Sequence, residues 1–516
     1  MFYSVLFPTE ESARLPRNQK APDCFKDMNL DQIVRRVTQE KQAFQLEEYF
    51  YTPLSDLNVI RYRQAVMREL ENPMTRMMFQ GVIGQIGFMN GMMDGMRMQL
   101  MTGDKLTGSY LDMGHFLETV TIYMQAVTGL EAQLRNVPLQ SEGLKNFAKY
   151  LTAYCSSEAT KKMIERHAAL REKLSKVRYC MVASKTGGTI RVLPYEGQKD
   201  YAERISELFL RFRQGDVRDY RWHTDDTPQS LKLENEVLKM VAAIFPAEFK
   251  ELTGFVKDYI HFDDETILKF VREVQFYLGW LDMTDTLRQK GLPFCYPTLH
   301  DKADALAAYD CFDLALALRT DKAVVTNDFT LTAPEQIIVV SGPNQNGKST
   351  FSRSFGQIHY LSALGVCVPG REANVFLCDK VLTHFETEED LTNLTSKLED
   401  ELIRLKELMD QATPRTILII NEIFASTTLQ DALLLGRRMI DGIIHKCGPS
   451  LMVTFMEELS EYGPETVSMV TSVSEDEKHS RTFKIVRRKA DGLAFALQIA
   501  GRHGVTYEQL KRRLQA

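Results

Sequence analysis

No stretch of this chain approaches the ~18 consecutive apolar residues of a membrane-spanning helix, so a membrane protein is not expected. The opening residues, Met1 to Pro8, are apolar but carry no basic region, and a signal peptide is not expected either. None of the eight cysteines falls in a C-x-x-C pair; they are scattered from Cys24 to Cys447. That pattern fits a reducing, cytoplasmic setting and argues against a disulfide framework or a zinc site. Basic excess is missing too, since the net charge is −6. A protein that grips nucleic acid over a broad face is often basic, so the overall charge lends such a partner no support, although a local patch can still carry the contact. Internal repeats and long low-complexity linkers are also absent.

What remains is 516 residues of ordinary composition, 44 % hydrophobic and 26 % charged, too many for one core. The pattern changes near residue 290. Before it the chain reads as mostly α-helical. Apolar residues recur at helical spacing from Glu40 to Asn72, broken at Thr52-Pro53. Met74 to Met101 is dense in methionine and glycine. Such a helix can be an adaptable binding surface, but soft residues around glycines read first as a loosely packed core helix. Leu111 to Leu134 and Leu139 to Val177 continue the helical pattern. Val177 to Leu193 reads as a small hairpin around Gly187-Gly188. Arg213 to Ser230 is polar. Leu231 to Gln289 is again helical, interrupted at Pro246 and near Asp263-Asp264.

After Pro293 the pattern becomes α/β. Strands are predicted at Ala323–Thr326, Gln336–Val340, Thr416–Ile420, Leu451–Phe455 and Val467–Val473. With helices between several of them, a largely parallel sheet is expected. The run Ile337–Val340 leads directly into Gly342, Pro343, Asn344, Gln345, Asn346, Gly347, Lys348, Ser349 and Thr350. This is G-x-x-x-x-G-K-S between a strand and a helix, the pattern of a phosphate-binding loop for a nucleoside triphosphate. The two glycines let backbone N–H groups curl toward phosphate oxygens, and the helix N-terminus favours negative charge. Lys348 would reach the terminal phosphates, and the Ser349 hydroxyl would ligate Mg²⁺.

Such a loop needs an acidic residue at the end of a second buried strand. Ile417 to Ile420 is that strand, followed by Asn421-Glu422. Asn421 stands where an aspartate usually orders the Mg²⁺ shell, and Glu422 is the candidate for positioning or deprotonating the attacking water.

The segment Glu422-Ile423-Phe424-Ala425-Ser426-Thr427-Thr428-Leu429-Gln430-Asp431 resembles the stretch D-E-I-G-R-G-T-S-T-x-D of the MutS family of DNA mismatch-repair ATPases. The loop is similar to that family's G-P-N-M-G-G-K-S-T. Val325-Thr326-Asn327-Asp328 resembles its V-P-N-D, Asp390 to Ser396 its D-D-L-A-S-G-R-S, with Glu401 five residues on, and Glu458-Leu459-Ser460 its E-L-T. Pro53 to Val66, Gly279-Trp280-Leu281-Asp282 and Tyr296-Pro297 resemble points along its core, levers and ATPase entry.

The resemblance implies a helical core and lever region over 29–290, with a clamp insertion reduced to about 177–229. It implies a P-loop, ABC-like ATPase domain over 291–516, with residues 1–28 as an extension. It implies ATP and Mg²⁺ as cofactors and a homodimer in which Ser396 approaches the γ-phosphate held by the other subunit. It implies slow ATP hydrolysis governing a clamp on duplex or junction DNA. The family's mismatch-recognition and connector domains have no counterpart before the core, so direct mismatch reading is not expected. Phe455 stands where the family has a histidine, and Phe424-Ala425 replace a glycine and an arginine. Those departures leave a second reading, a nucleotide-gated scaffold with little hydrolysis that acts through a protein partner. A basic stretch with Lys161, Lys162, Arg166, Arg171, Lys173, Lys176, Arg178, Lys185 and Arg191 could touch phosphates. The interleaved Glu158, Glu165 and Glu172 read equally as a salt-bridged helix face.

Overall fold

The computed structural model describes residues 2–102, 105–183, 189–198, 228–343, 346–385, 397–473, 481–490 and 504–515. Two compact units emerge, and neither is a single run of sequence. One is built from Met1–Asn72, Gln140–Leu144 and Arg272–Ala516, the other from Pro73–Leu139 and Lys145–Val271.

The second unit is helical. Its helices include Pro73–Leu100, Tyr110–Leu134, Glu158–Ser175, Pro228–Ile244 and Pro246–Tyr259. Their starts follow from local chemistry. Ser109 and Asp112 form a reciprocal capping box, Ser157 accepts from the Thr160 N–H, and Pro246 sits in the first turn, where its missing N–H costs nothing. Phe116, Phe255, Phe262 and Tyr123 meet edge-on in the core, a geometry that suits the ring quadrupole. The hairpin forms from Tyr179–Ala183 and Ile190–Pro194. Its predicted glycine pair, Lys185, and most of the polar stretch from Arg213 lie outside the described residues. The methionines of Pro73–Leu100 divide by face: Met89, Met93 and Met96 are buried, whereas Met92 and Met98 are exposed. The expectation of a plain core helix is therefore corrected for one face, because a single amphipathic helix buries only one stripe.

The first unit holds a six-stranded sheet. In spatial order its strands are Lys380–Phe385, Thr416–Asn421, Ser450–Val453, Ile337–Ser341, Thr466–Val473 and Arg481–Arg487. All neighbours are parallel except the last pair. The three strands Thr416–Asn421, Ser450–Val453 and Ile337–Ser341 are buried at every residue, as expected for a parallel sheet covered on both faces. Ile419 faces the helix Lys348–Ser362, where only a glycine, Gly356, lets the backbones close: a Cβ there would fall 2.6 Å from Ile419 Cδ1. Leu418 and Ile420 face the opposite way, into a cluster with Ile440 and Ile443 of Leu429–Lys446.

A second, mixed sheet of Thr298–His300, Glu372–Phe376, Ala305–Cys311 and Asn327–Thr332 was not foreseen. The strand expected at Ala323–Thr326 is corrected by it: pairing begins at Asn327, opposite Cys311, and the four preceding residues run without regular structure. The reason is the Asn327 amide. It donates to Phe483 O and accepts from Ile485 N, so it fixes the strand start to the edge of the six-stranded sheet. Among the described residues no helix is long and apolar enough to cross a membrane.

Candidate functional site

The chain turns sharply at both ends of the loop 342–347. Gly342 has φ +125° and Gly347 φ +92°, conformations that L side chains rarely adopt. Gly342 is doubly required, since a Cβ there would run into Thr471 Oγ1 on the next strand. Gly347 is the N-cap of Lys348–Ser362 and has no side chain to satisfy the first N–H groups of that helix. Lys348 opens the helix and is buried; its ammonium donates to Gly342 O at 2.7 Å and lies 3.5 Å from Glu422 Oε1. Burial pulls the Lys348 ammonium below the usual lysine range, and the adjacent Glu422 carboxylate opposes that shift.

Glu422 is delivered by the neighbouring strand. Asn421 ends Thr416–Asn421, and the Glu422 N–H extends the ladder by donating to Val453 O at 3.0 Å. The backbone then turns through two positive-φ residues, Glu422 at +60° and Phe424 at +59°. Non-glycine residues pay roughly 1–2 kcal/mol for that conformation. The turn is held from outside by Glu401 on the helix Lys397–Gln411, whose two carboxylate oxygens accept from Phe424 N at 3.0 and 3.1 Å. His384 Nε2 approaches the same carboxylate at 3.6 Å. Asn421 is buried, and its Oδ1 has no hydrogen-bond partner among the described residues. An orphaned buried carbonyl on the residue before Glu422 needs an explanation, and a bound cation or water is the usual one.

These groups share a cleft of about 650 Å³. Gly347, Lys348, Ser349, Thr350 and Glu422 line it from the loop helix and the neighbouring strand end, and Leu316, Ala323, Val324, Val325 and Phe483 add apolar wall, with Thr320, Lys322 and Asn327 among them. A concave site that joins a lysine-bearing glycine loop to apolar wall suits a ligand with a charged part and a flat, weakly polar part.

Of the residues predicted for the site, Gly347, Lys348, Ser349, Thr350 and Glu422 line this cleft, Gly342 is joined to them by the Lys348 hydrogen bond, and Asn421 ends the strand that delivers Glu422 but is not among the lining residues. Pro343 and Asn346 lie in the same loop. Asn344, Gln345 and Ser396 lie outside the described residues. Phe455 is 48 % exposed just past Ser450–Val453, while Thr454 before it is buried and accepts from Met456 N. In the basic stretch, Arg166, Arg171, Lys173 and Lys176 each face a carboxylate: Asp258, Glu118, Glu251 and Glu172 respectively. Sequence reasoning missed Phe483 and the wall from Leu316, which line the cleft, and Thr471, which closes on Gly342. Nothing local marks them, because strand pairing and the second sheet bring them to the loop.

Comparison with known proteins agrees with this geometry. Residues 338–512 match the model of MutS domain V. A DNA mismatch repair protein MutS from Chlorobaculum tepidum is 23 % identical over 533 residues, covering 96 % of this chain and 59 % of that protein. One from Clostridium botulinum (strain Loch Maree / Type A3) is 24 % identical over 298 residues, 55 % of this chain and 31 % of its own length. The chain thus spans between about a third and three-fifths of the length of these relatives. Residues 338–512, which hold the glycine loop and most of the six-stranded sheet, are thus similar to MutS domain V, and along most of its length the chain is similar to MutS proteins.

Proposed function

We propose that this chain binds ATP in the cleft above Gly342–Ser349 and hydrolyses it slowly. In this reading the site is completed by a second copy, and the nucleotide state controls a hold on duplex or junction DNA without direct mismatch reading. The observation that carries it is the meeting of Lys348 and Glu422 at 3.5 Å between a positive-φ glycine loop and a buried parallel strand. Loop N–H groups and Lys348 bind the phosphates; on their arrival Lys348 exchanges Gly342 O for phosphate oxygen. The Glu422 carboxylate orients a water and takes its proton. Ser396 of the second copy would add a hydrogen bond to the terminal phosphate.

The donor set fits Mg²⁺. No cluster of three or more acidic, histidine or cysteine ligands occurs among the described residues, so a dedicated protein cage is not offered. Mg²⁺ in nucleotide sites takes one or two protein oxygens and completes its shell with phosphates and water. The Ser349 hydroxyl and the unpartnered Asn421 Oδ1 are such oxygens. When bound, the ion neutralises charge developing on the phosphates. Asn421 brings no charge of its own, which is the reason to expect slow turnover.

Equilibrium ATP binding and steady-state hydrolysis, each with and without DNA, test this. Lys348→Ala should abolish binding. Glu422→Gln should keep binding and lower turnover by at least ~100-fold. Binding to duplex, mismatched, junction and single-stranded DNA, titrated with salt, should favour duplex or junction. A wild-type chain that binds ATP without turnover, and all DNAs weakly and alike, would overturn the DNA-linked ATPase. That outcome would favour the nucleotide-gated scaffold, which Asn421 and the exposed Phe455 support.

A further inference from the structure

The helix Pro73–Leu100 carries an exposed apolar face. Met74, Met77, Phe88 and Met98 are 81, 73, 67 and 77 % exposed. Between them fall Gly81, Gly84, Gly91 and Gly95, all exposed, and a Cβ built on any of the four meets nothing within 4 Å. Together these positions step by three and four residues without a break, the seven-residue repeat of a helix–helix seam. Glycine in a helix interior weakens it relative to alanine, and no neighbour among the described residues comes close enough to require these four. The flanking exposed positions Gln80, Gln85, Met92 and Gln99 are uncharged, and the sequence places one acidic residue, Asp94, at a flanking position. Such a face is rare on a chain that is 26 % charged.

We infer that this face is the contact for a second copy of the same helix, packed antiparallel about a two-fold axis near residue 86. The shape argument is specific. Antiparallel pairing sets Phe88 of one copy over Gly84 of the other, and Met77 over Gly95. Met74 meets Met98 at each end, and Gly81 and Gly91 let the backbones close between them. A parallel, in-register pair would instead set glycine against glycine and leave voids. Antiparallel pairing also keeps the two copies of Asp94 about 24 Å apart along the axis, whereas a parallel pair would bring these like charges together. A helix of 28 residues is about 42 Å long, and pairing two over that length buries on the order of 1,000 Å² in total, the lower bound for a specific interface. The inference does not rest on the nucleotide reading.

Sedimentation equilibrium on the full chain without nucleotide, in a Lys348→Ala background, is the test. A dimer is expected. Gly84→Glu with Gly91→Glu places carboxylates in the seam at positions that are open in the single chain, so the fold should keep its helical ellipticity. The dissociation constant should rise at least ~10-fold, because a buried unpaired charge is costly. Met77→Cys with Gly95→Cys should cross-link two chains under mild oxidation, whereas the wild type and each single variant should not. Those two cysteines lie about 27 Å apart on one helix and cannot reach each other within it. The inference is overturned by a monomeric wild type up to ~100 µM, by glutamate variants that dimerise like wild type, or by cross-links formed within one chain.

Discussion

His359 lies in the middle of the helix that follows the glycine loop and is 1 % exposed. Its Nδ1–H donates to Phe355 O at 2.8 Å, while Nε2 is buried without a partner. The ring packs against Phe355 and Phe329. A second proton would have no acceptor, so burial pushes the imidazole down from 6.5 to about 4. Between those values the unfolded chain binds more protons than the folded one. Stability is therefore full above about pH 6.5 and is lost as pH falls toward 4, by about 2 kcal/mol at pH 5. His359→Leu, similar in volume, should remove that share of the acid sensitivity. Urea unfolding at pH 7.5 and pH 5 measures it, and an unchanged difference between the two pH values in the variant would refute the assignment. Lys348, at the start of the same helix, moves in the same direction for the same cause, but there the Glu422 carboxylate opposes the shift.

At the scale of elements, the turn that carries Glu422 depends on a helix it does not belong to. Glu401 accepts from Phe424 N with both oxygens and is largely buried. Glu401→Ala would leave that N–H unsatisfied beside two positive-φ residues, at a cost of about 2 kcal/mol. If the proposed function holds, it should also lower ATP turnover more than ATP binding, since Glu422 loses its brace while Lys348 and the loop keep theirs. Glu401→Gln retains one acceptor oxygen and should recover most of both; equal loss of binding and turnover in the alanine variant would remove the positioning role. This dependence was only partly legible in the sequence. The loop, the buried strand into Asn421 and the break at Pro246 were readable, because continuous apolar runs and fixed-φ residues are local signals. The strand Ala305–Cys311 was not, since a segment with three alanines has low intrinsic preference for strand and is held there by pairing with both neighbours. Asn327–Thr332 was shifted because its start is set by hydrogen bonds to residues more than 150 positions away.

At the scale of the whole molecule, the first seventy residues and the loop helix Lys348–Ser362 form one structure. Arg353 Nε donates to Asp27 O at 2.9 Å and Gln357 Nε2 to Met28 O at 2.8 Å. Met28 Sδ occupies the space a side chain at Gly356 would need. The Phe25 ring stands edge-on to Tyr51 and to Tyr360, with centroids 5.3 Å away in both cases, and Tyr360 donates to Phe50 O. Beyond the helix end, the buried Arg63 donates to Leu364 O at 3.0 Å. Apart from the pair Phe25–Tyr51, each contact spans more than 300 residues of chain and leaves no local trace in the sequence. The consequence is that loosening residue 25 should loosen the nucleotide-loop helix. Phe25→Ala removes a 2 % exposed ring and should cost about 3–5 kcal/mol in the unit that contains it. Because the chain has two compact units, a single melting temperature would blur the effect. Hydrogen exchange resolves it: amides of Lys348–Ser362 should lose protection, while those of Tyr110–Leu134 in the helical unit keep theirs. A uniform loss across both helices, or none in Lys348–Ser362, would mean that the N-terminal segment merely covers the loop helix without supporting it.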